Sequence, residues 1–226
     1  MAEKNPGDDF IREVDEELQR EQMIQFWKKY NGLLIGAASA VVLAVGGYNF
    51  WETQKLNRMI DSSAKYSRAM QLYNNEKPAE GDAVLGVLAA DGQDGYKILA
   101  DFRLASSLEA KERDRALDIY KTISSDEKMD RKWRDLAEFR TAKLLIDGDK
   151  ADTAAEKLAK LNDSASAWRH SARDLLFAYN IKKGDYEKAK GVLEEMTKDT
   201  ETPKGIRSLL ATYRTLAEGG ALGEVN

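Results

Sequence analysis

His170 is the only histidine in the 226 residues, and cysteine is absent. The imidazole lies four residues before Asp174 on a predicted helix, a spacing at which the two side chains can share a hydrogen bond. For that pair to move protons in catalysis it needs a nucleophile beside it, and no serine or cysteine nucleophile motif accompanies it. His170 therefore reads as a satisfied structural or surface histidine. Asp147-Gly148-Asp149-Lys150-Ala151-Asp152 has the outline of a calcium loop, but it lacks an acidic or amide residue at the fifth position and glycine at the sixth. It reads as a turn. Gly46-Gly47 and Gly219-Gly220 are isolated pairs without a phosphate-loop context, and Glu194-Glu195 belongs to a solvated helix face. Tyr96, Trp133 and Trp168 are aromatic residues of the kind that line peptide grooves, yet their regular spacing makes packing between repeats the simpler role. Met70, Met129 and Met196 read as apolar filler. The expectation is a chain with no catalytic residue, no metal site and no cofactor, and not an enzyme.

Without chemistry to organise it, the chain must be explained by its elements. Three prolines, 33 % charged residues and abundant alanine, leucine, lysine and glutamate predict an all-α protein. The lack of cysteine removes disulfides and thiolate metal sites and leaves the compartment open. A net charge of −4 argues against sequence-independent binding to nucleic acid, which needs clustered lysine and arginine.

The dominant element is Asn31 to Trp51, NGLLIGAASAVVLAVGGYNFW, which contains no charged residue. As a helix it reaches about 31 Å, close to the hydrocarbon thickness of a bilayer. Phe26, Trp27 and Tyr30 stand at one edge and Tyr48, Phe50 and Trp51 at the other, where membrane interfaces favour amphipathic rings. Lys28 and Lys29 close the stretch on one side, Glu52 and Lys55 on the other. A helix in a soluble core should keep a polar face, and this one has none. A cleaved signal peptide is the other alternative, with Leu33 to Val45 as its apolar region and Ala44-Val45-Gly46 as a loose cleavage site. The long acidic segment that precedes it favours an uncleaved transmembrane anchor. Within the span, Gly32, Gly36, Ala40 and Ala44 fall on one stripe, a candidate helix-packing face for a membrane partner or for a second copy in a homo-oligomer. Small residues are also simply common in membrane helices, so the stripe stays open.

Before the span, residues 1–29 carry 5 basic and 8 acidic residues, a net charge of −3. Asp8 or Asp9 is placed to cap a helix in which Phe10, Val14 and Leu18 recur every four residues, with Ile11 beside them. This gives an amphipathic tail, suited either to helix pairing or to simple solvation. Orientation by charge ties: Arg12, Arg20, Lys28 and Lys29 balance Lys55, Arg58, Lys65 and Arg68. The Lys28-Lys29 pair abuts the span and tips the tail toward the cytoplasm. The domains expected are a cytoplasmic tail over 1–29, a transmembrane anchor over 30–51 and a helical domain over 52–226.

The last part repeats. Tyr96-Lys97-Ile98-Leu99-Ala100 matches Trp133-Arg134-Asp135-Leu136-Ala137 and then Trp168-Arg169-His170-Ser171-Ala172, with the aromatics 37 and then 35 residues apart. Arg103-Leu104-Ala105 corresponds to Arg140-Thr141-Ala142. The turns Gly148-Asp149 and Gly184-Asp185 precede Ala154 and Ala189, and glycine with aspartate there predicts a left-handed helix end followed by a cap. In the last copy, Leu175, Leu176, Tyr179, Tyr186, Ala189, Val192 and Leu193 predict a helical hairpin around that turn. An earlier, degenerate pair is expected from Ala64, Tyr66, Ala69, Leu72 and Tyr73, then Ala83, Val84, Val87 and Leu88, broken at Pro78. After Pro203, a single terminal helix with Ile206, Leu209, Leu210, Tyr213 and Leu216 on one stripe, ending before Gly219-Gly220, covers the last repeat.

Gly184-Asp185-Tyr186, Lys188-Ala189 and Leu193 resemble a tetratricopeptide repeat, with one extra residue between Tyr179 and Gly184 and a longer turn from Gly148 to Ala154 in the second copy. The complete layout resembles the bacterial YfgM-like family of inner-membrane tetratricopeptide proteins. The residues that carry this are Phe10-Ile11-Arg12-Glu13-Val14-Asp15-Glu16-Glu17-Leu18, the approach Phe26-Trp27-Lys28-Lys29-Tyr30, and the repeats. The resemblance implies a single-pass anchor in the bacterial inner membrane, a cytoplasmic N-terminus and a periplasmic tetratricopeptide-like helical-hairpin solenoid. It also implies a supporting role as an ancillary Sec translocon subunit that links exported clients to periplasmic chaperones. A self-associating scaffold in envelope assembly or cell division is the alternative, and an enzyme with an unrecognised site is a more distant one.

Overall fold

The computed structural model describes the backbone of residues 6–223, and the side chains between residues 17 and 219 apart from Leu34 and Asp94. Ten helices and no strand are found among the described residues. They are α1 (Pro6–Asn74), α2 (Pro78–Asp91), α3 (Asp94–Leu108), α4 (Arg113–Ser125), α5 (Arg131–Leu145), α6 (Ala151–Leu161), α7 (Arg169–Lys183), α8 (Tyr186–Lys198), α9 (Lys204–Arg207) and α10 (Leu210–Gly223). The chain divides into two units, Met1–Ile60 and Asp61–Asn226, so the boundary falls inside α1.

In the first unit α1 starts at Pro6, which puts Asp8 and Asp9 inside the helix instead of at its cap. Phe10, Ile11 and Val14 lie outside the residues whose side chains are described. Between Glu17 and Asn74 this helix is long and apolar enough to cross a membrane, and none of its most apolar window is buried.

The second unit is a row of hairpins in which each helix packs on the next along the chain: the end of α1 with α2, α3 with α4, α5 with α6, and α7 with α8. The second helix of each hairpin buries a small residue followed by two larger ones at i+4 and i+7. In α4 these are Ala116, Tyr120 and Ile123; in α6, Ala154, Leu158 and Leu161; in α8, Ala189, Leu193 and Met196. That spacing keeps all three on one face of an α-helix, and the short residue lets the partner helix approach. The first helices present their own alanines: Ala100, Ala105, Ala137, Ala142 and Ala172 are all fully buried.

Helix α2 follows the same rule with a glycine, burying Gly81, Leu85 and Leu88. The stripe expected there was Ala83, Val84, Val87 and Leu88; instead Ala83 and Val87 are exposed, as is Ala64 on α1. A Cβ on Gly81 would meet the Tyr73 ring at 3.1 Å and the Ala69 carbonyl at 3.3 Å, which explains why the repeat's alanine is shortened here. The break before α2 is made by Glu76, held at φ 60°, with Pro78 at the first turn, where its missing N–H is harmless.

The turns also part from expectation. Gly184 does end α7 in the left-handed region, at φ 79°, and donates its N–H to the Asn180 and Ile181 carbonyls. Gly148 does not adopt a positive φ, and Lys150, not Asp149, stands at the N-cap of α6. Asp185 occupies the N-cap of α8 without making a capping bond and instead accepts from Lys188 at 3.1 Å. The cap that sequence reasoning passed over is Asp130, whose carboxylate accepts the Lys132 N–H at 3.0 Å and starts α5. The end of the array is built from two helices, α9 and α10. Leu210, Tyr213 and Ala217 face the α7–α8 hairpin, while Leu209 and Leu216 are exposed, and α10 runs through Gly219 to Gly223.

Candidate protein-interaction surface

The spaced aromatics join the hairpins to one another. Trp133 packs on Phe102 of the preceding hairpin at 5.8 Å between ring centres, and Trp168 stacks on Phe139 at 5.8 Å. Tyr96 meets Tyr66 at 6.1 Å. Each contact joins the start of one hairpin to a ring on the first helix of the hairpin before it. The Trp168 indole also donates to the Lys132 carbonyl at 3.2 Å, which fixes the ring's rotation. These three aromatics are half-buried packing residues, the role that their spacing predicts.

Charged contacts reinforce the same joints. Arg131 pairs with Asp163 at 2.6 Å and Lys182 with Asp147 at 2.8 Å, while Lys183 and the Tyr179 hydroxyl both reach Asp152. Asp147 and Asp152 of the calcium-like stretch are therefore held by the next hairpin's lysines around a turn. Those lysines keep the carboxyls of Asp147 and Asp152 below the usual range. At the last joint Asp199 accepts from Arg173 at 2.7 Å and Arg169 at 3.1 Å, and Arg173 also donates to Asn162 at 2.6 Å. The Arg173 bond, the Glu201 N–H and Arg169 together hold the Asp199 carboxyl far below its ordinary value.

His170 belongs to this cluster. Its partner is not Asp174, which accepts from the Tyr213 hydroxyl of α10. The imidazole instead turns toward Asp199, with Nδ1 at 3.9 Å and buried without a hydrogen bond. Burial, with Arg169 and Arg173 beside it, lowers its pKa. The arrangement clamps the α8–α9 connection onto α7. Arg169, Arg173, Asn162 and Asp199 spend their hydrogen bonds on one another.

What remains for contact with other molecules is the outward surface. On α4, α6 and α8 it is charged, with Asp118 and Lys121, Glu156 and Lys160, and Glu187, Lys188 and Glu194. On α2 it is mostly apolar: Ala79, Ala83, Val87 and Ala90 are exposed, Val87 to 53 %. This face borders a groove of about 640 Å³ against Leu104 and Leu108 of α3 and the start of α4. In the sequence the groove was hidden because Ala83 and Val87 were counted toward the core. The signal available was composition: α2 has apolar residues around its whole circumference and no basic residue. In the first unit, a Cβ on Gly32 or Gly36 would meet nothing within 4 Å, and Ala40 and Ala44 are exposed.

The tetratricopeptide repeat-like domain family matches residues 24–212. The chain belongs to that family. Comparison with curated proteins and with solved structures gave no match. Membership agrees with the row of hairpins, and such repeats act as protein-interaction modules, generally without catalysis.

Proposed function

We propose that this tetratricopeptide-like protein is a single-pass inner-membrane adaptor that holds other proteins beside the secretion machinery. Residues 31–51 form the anchor, residues 1–29 stay in the cytoplasm, and the repeat domain over 52–226 works in the periplasm. Its partners are the Sec translocon in the bilayer, and periplasmic chaperones or newly exported chains outside it. The observation that carries this reading is the joining, in one chain, of an uncovered apolar helix to a hairpin array. An uncovered helix of that length is stable only in lipid or against another helix. A hairpin array presents an extended surface over which affinity is spread among many side chains. The stripe Gly32, Gly36, Ala40 and Ala44 is the natural contact for a neighbouring membrane helix.

Two measurements test the reading. Alkaline phosphatase fused to the C-terminus should be active in intact cells, and an intact but inactive fusion would put the repeats in the cytoplasm and end the secretion role. Removing residues 52–226 should abolish cross-linking of exported proteins and chaperones to the chain. Unchanged cross-linking would refute the role given to the repeats. If leucine at Gly36 and Ala40 dissociates a homo-oligomer, the scaffold alternative takes precedence.

A further inference from the structure

We propose that the groove between α2 and the α3–α4 hairpin is a docking site for a short apolar peptide segment flanked by basic residues. The proposal rests on the protein-interaction reading above and assigns it a place and a ligand chemistry.

Three features of the groove point outward. The first is Gly86, in the middle of α2. Glycine there costs about 1 kcal/mol relative to alanine, yet a Cβ on it would meet nothing within 4 Å. No packing within the chain calls for the glycine, whereas Gly81 on the opposite face is pressed by Tyr73. What Gly86 does is keep the groove open beside Val87, over the apolar floor of Leu104 and Leu108.

The second feature is charge. Four ionisable residues line the groove: Asp82, Asp91, Glu112 and Arg115. Arg115 and Glu112 pair with each other at 3.2 Å and offset one another. Asp82 accepts from the hydroxyls of Tyr73 and Ser107, and Arg103 lies over the Tyr73 ring at 4.5 Å without pairing with the carboxylate directly. Among the described residues the Asp91 carboxylate has neither an ion pair nor a hydrogen bond. The groove lining therefore carries more acid than base, with Asp82 and Asp91 nine residues apart on one helix. Along the helix axis they are about 13 Å apart, and nine residues of a 3.6-residue helix place them on opposite flanks of α2, one on each side of its exposed apolar face.

The third feature is the position of Asp91 as the last residue of α2. The helix macrodipole already concentrates negative potential there, so a carboxylate is unfavourable for the fold. Lys97 already donates to the Ala89 carbonyl in that last turn, so what a partner's lysine or arginine would meet is the Asp91 carboxylate itself. A segment with basic residues at both ends and apolar residues between them satisfies the rim and the floor together. The volume suits a few side chains, so binding should be weak and reversible.

The test uses the full-length protein in lipid nanodiscs and a dye-labelled synthetic peptide with a lysine at each end of a leucine and alanine run. A control peptide has glutamate at both ends. The lysine peptide should raise anisotropy saturably and slow hydrogen exchange in residues 79–91, and the glutamate peptide should do neither. Gly86→Leu fills the groove and Asp91→Lys reverses its charge, and each should weaken binding by about tenfold or more. Both substitutions favour the helix, so neither should lower the melting temperature, and lost binding cannot be ascribed to unfolding. Equal binding of the two peptides overturns the charge argument. Binding of the lysine peptide unchanged in both variants overturns the groove while leaving the interaction module intact. If the wild type binds neither peptide, the groove proposal fails alone so long as residues 52–226 are still required for cross-linking in cells.

Discussion

Gly81 is pressed by the end of α1, and its substitution has a definite sign. Valine there would drive its methyls into the Tyr73 ring and the Ala69 carbonyl. Overpacking of this kind costs about 1–3 kcal/mol, so Gly81→Val should lower the urea midpoint of the repeat domain with little change in slope. His170 makes a second residue-level prediction. Burial, followed by Arg169, lowers its folded pKa below the ordinary histidine value, while Asp199 and Glu201 only partly oppose this. The unfolded chain therefore binds the proton more readily. The stability that His170 contributes is complete above about pH 6.5 and is lost as pH falls from there through the folded pKa. Asp199 is also depressed, but its loss begins only near the ordinary carboxylate range. His170→Gln should flatten the first limb of a melting temperature against pH series and leave the second. His170 was legible as a structural or surface histidine because no nucleophile motif accompanied it. Its partner was not, because Asp199 is 29 residues away and only folding of the α8–α9 connection brings it near.

At the level of the helix, the repeat grammar was readable where the aromatics and alanines kept their types. Ala100, Ala137 and Ala172 are buried in register, and Trp133 and Trp168 occupy matching joints. It was unreadable in α2, where glycine replaces the alanine and apolar residues on both faces leave no period to follow. The structure separates those faces, and mutation can check the separation. Leu85→Ala and Leu158→Ala empty fully buried positions and should each cost about 2–5 kcal/mol. Val87→Ala, although equally apolar, should stay within about 0.5 kcal/mol because the side chain is exposed. The turns divide in the same way. Gly184→Ala should cost about 1 kcal/mol through its positive φ alone, since a Cβ there meets nothing. Gly148→Ala should cost less, because its backbone carries no such demand. Both comparisons need only chemical denaturation curves of single variants.

At the level of the whole molecule, the apolar stretch was the easiest feature to read and its orientation the hardest. A helix in lipid needs no polar face, so Asn31 to Trp51 stands out by the absence of charge alone. Orientation depends on a difference between flanking charges, and here the counts are equal on the two sides. The structure leaves the stretch open around its circumference, with Val42 and Leu43 among its most exposed residues. If lipid covers them, arginine near the centre should raise the cost of insertion by about 2.5–3.5 kcal/mol. Leu43→Arg should therefore move part of the protein from the carbonate-resistant membrane pellet to the soluble fraction. The repeat domain's own melting should stay unchanged, because Leu43 belongs to the first unit and the hairpin cores to the second. Full retention in the pellet would mean that residue 43 does not face hydrocarbon, and the anchor would have to be redrawn. A smaller effect at Ala40 than at Leu43 would instead point to a helix partner on the small-residue stripe, since a polar residue facing another helix is sheltered from lipid.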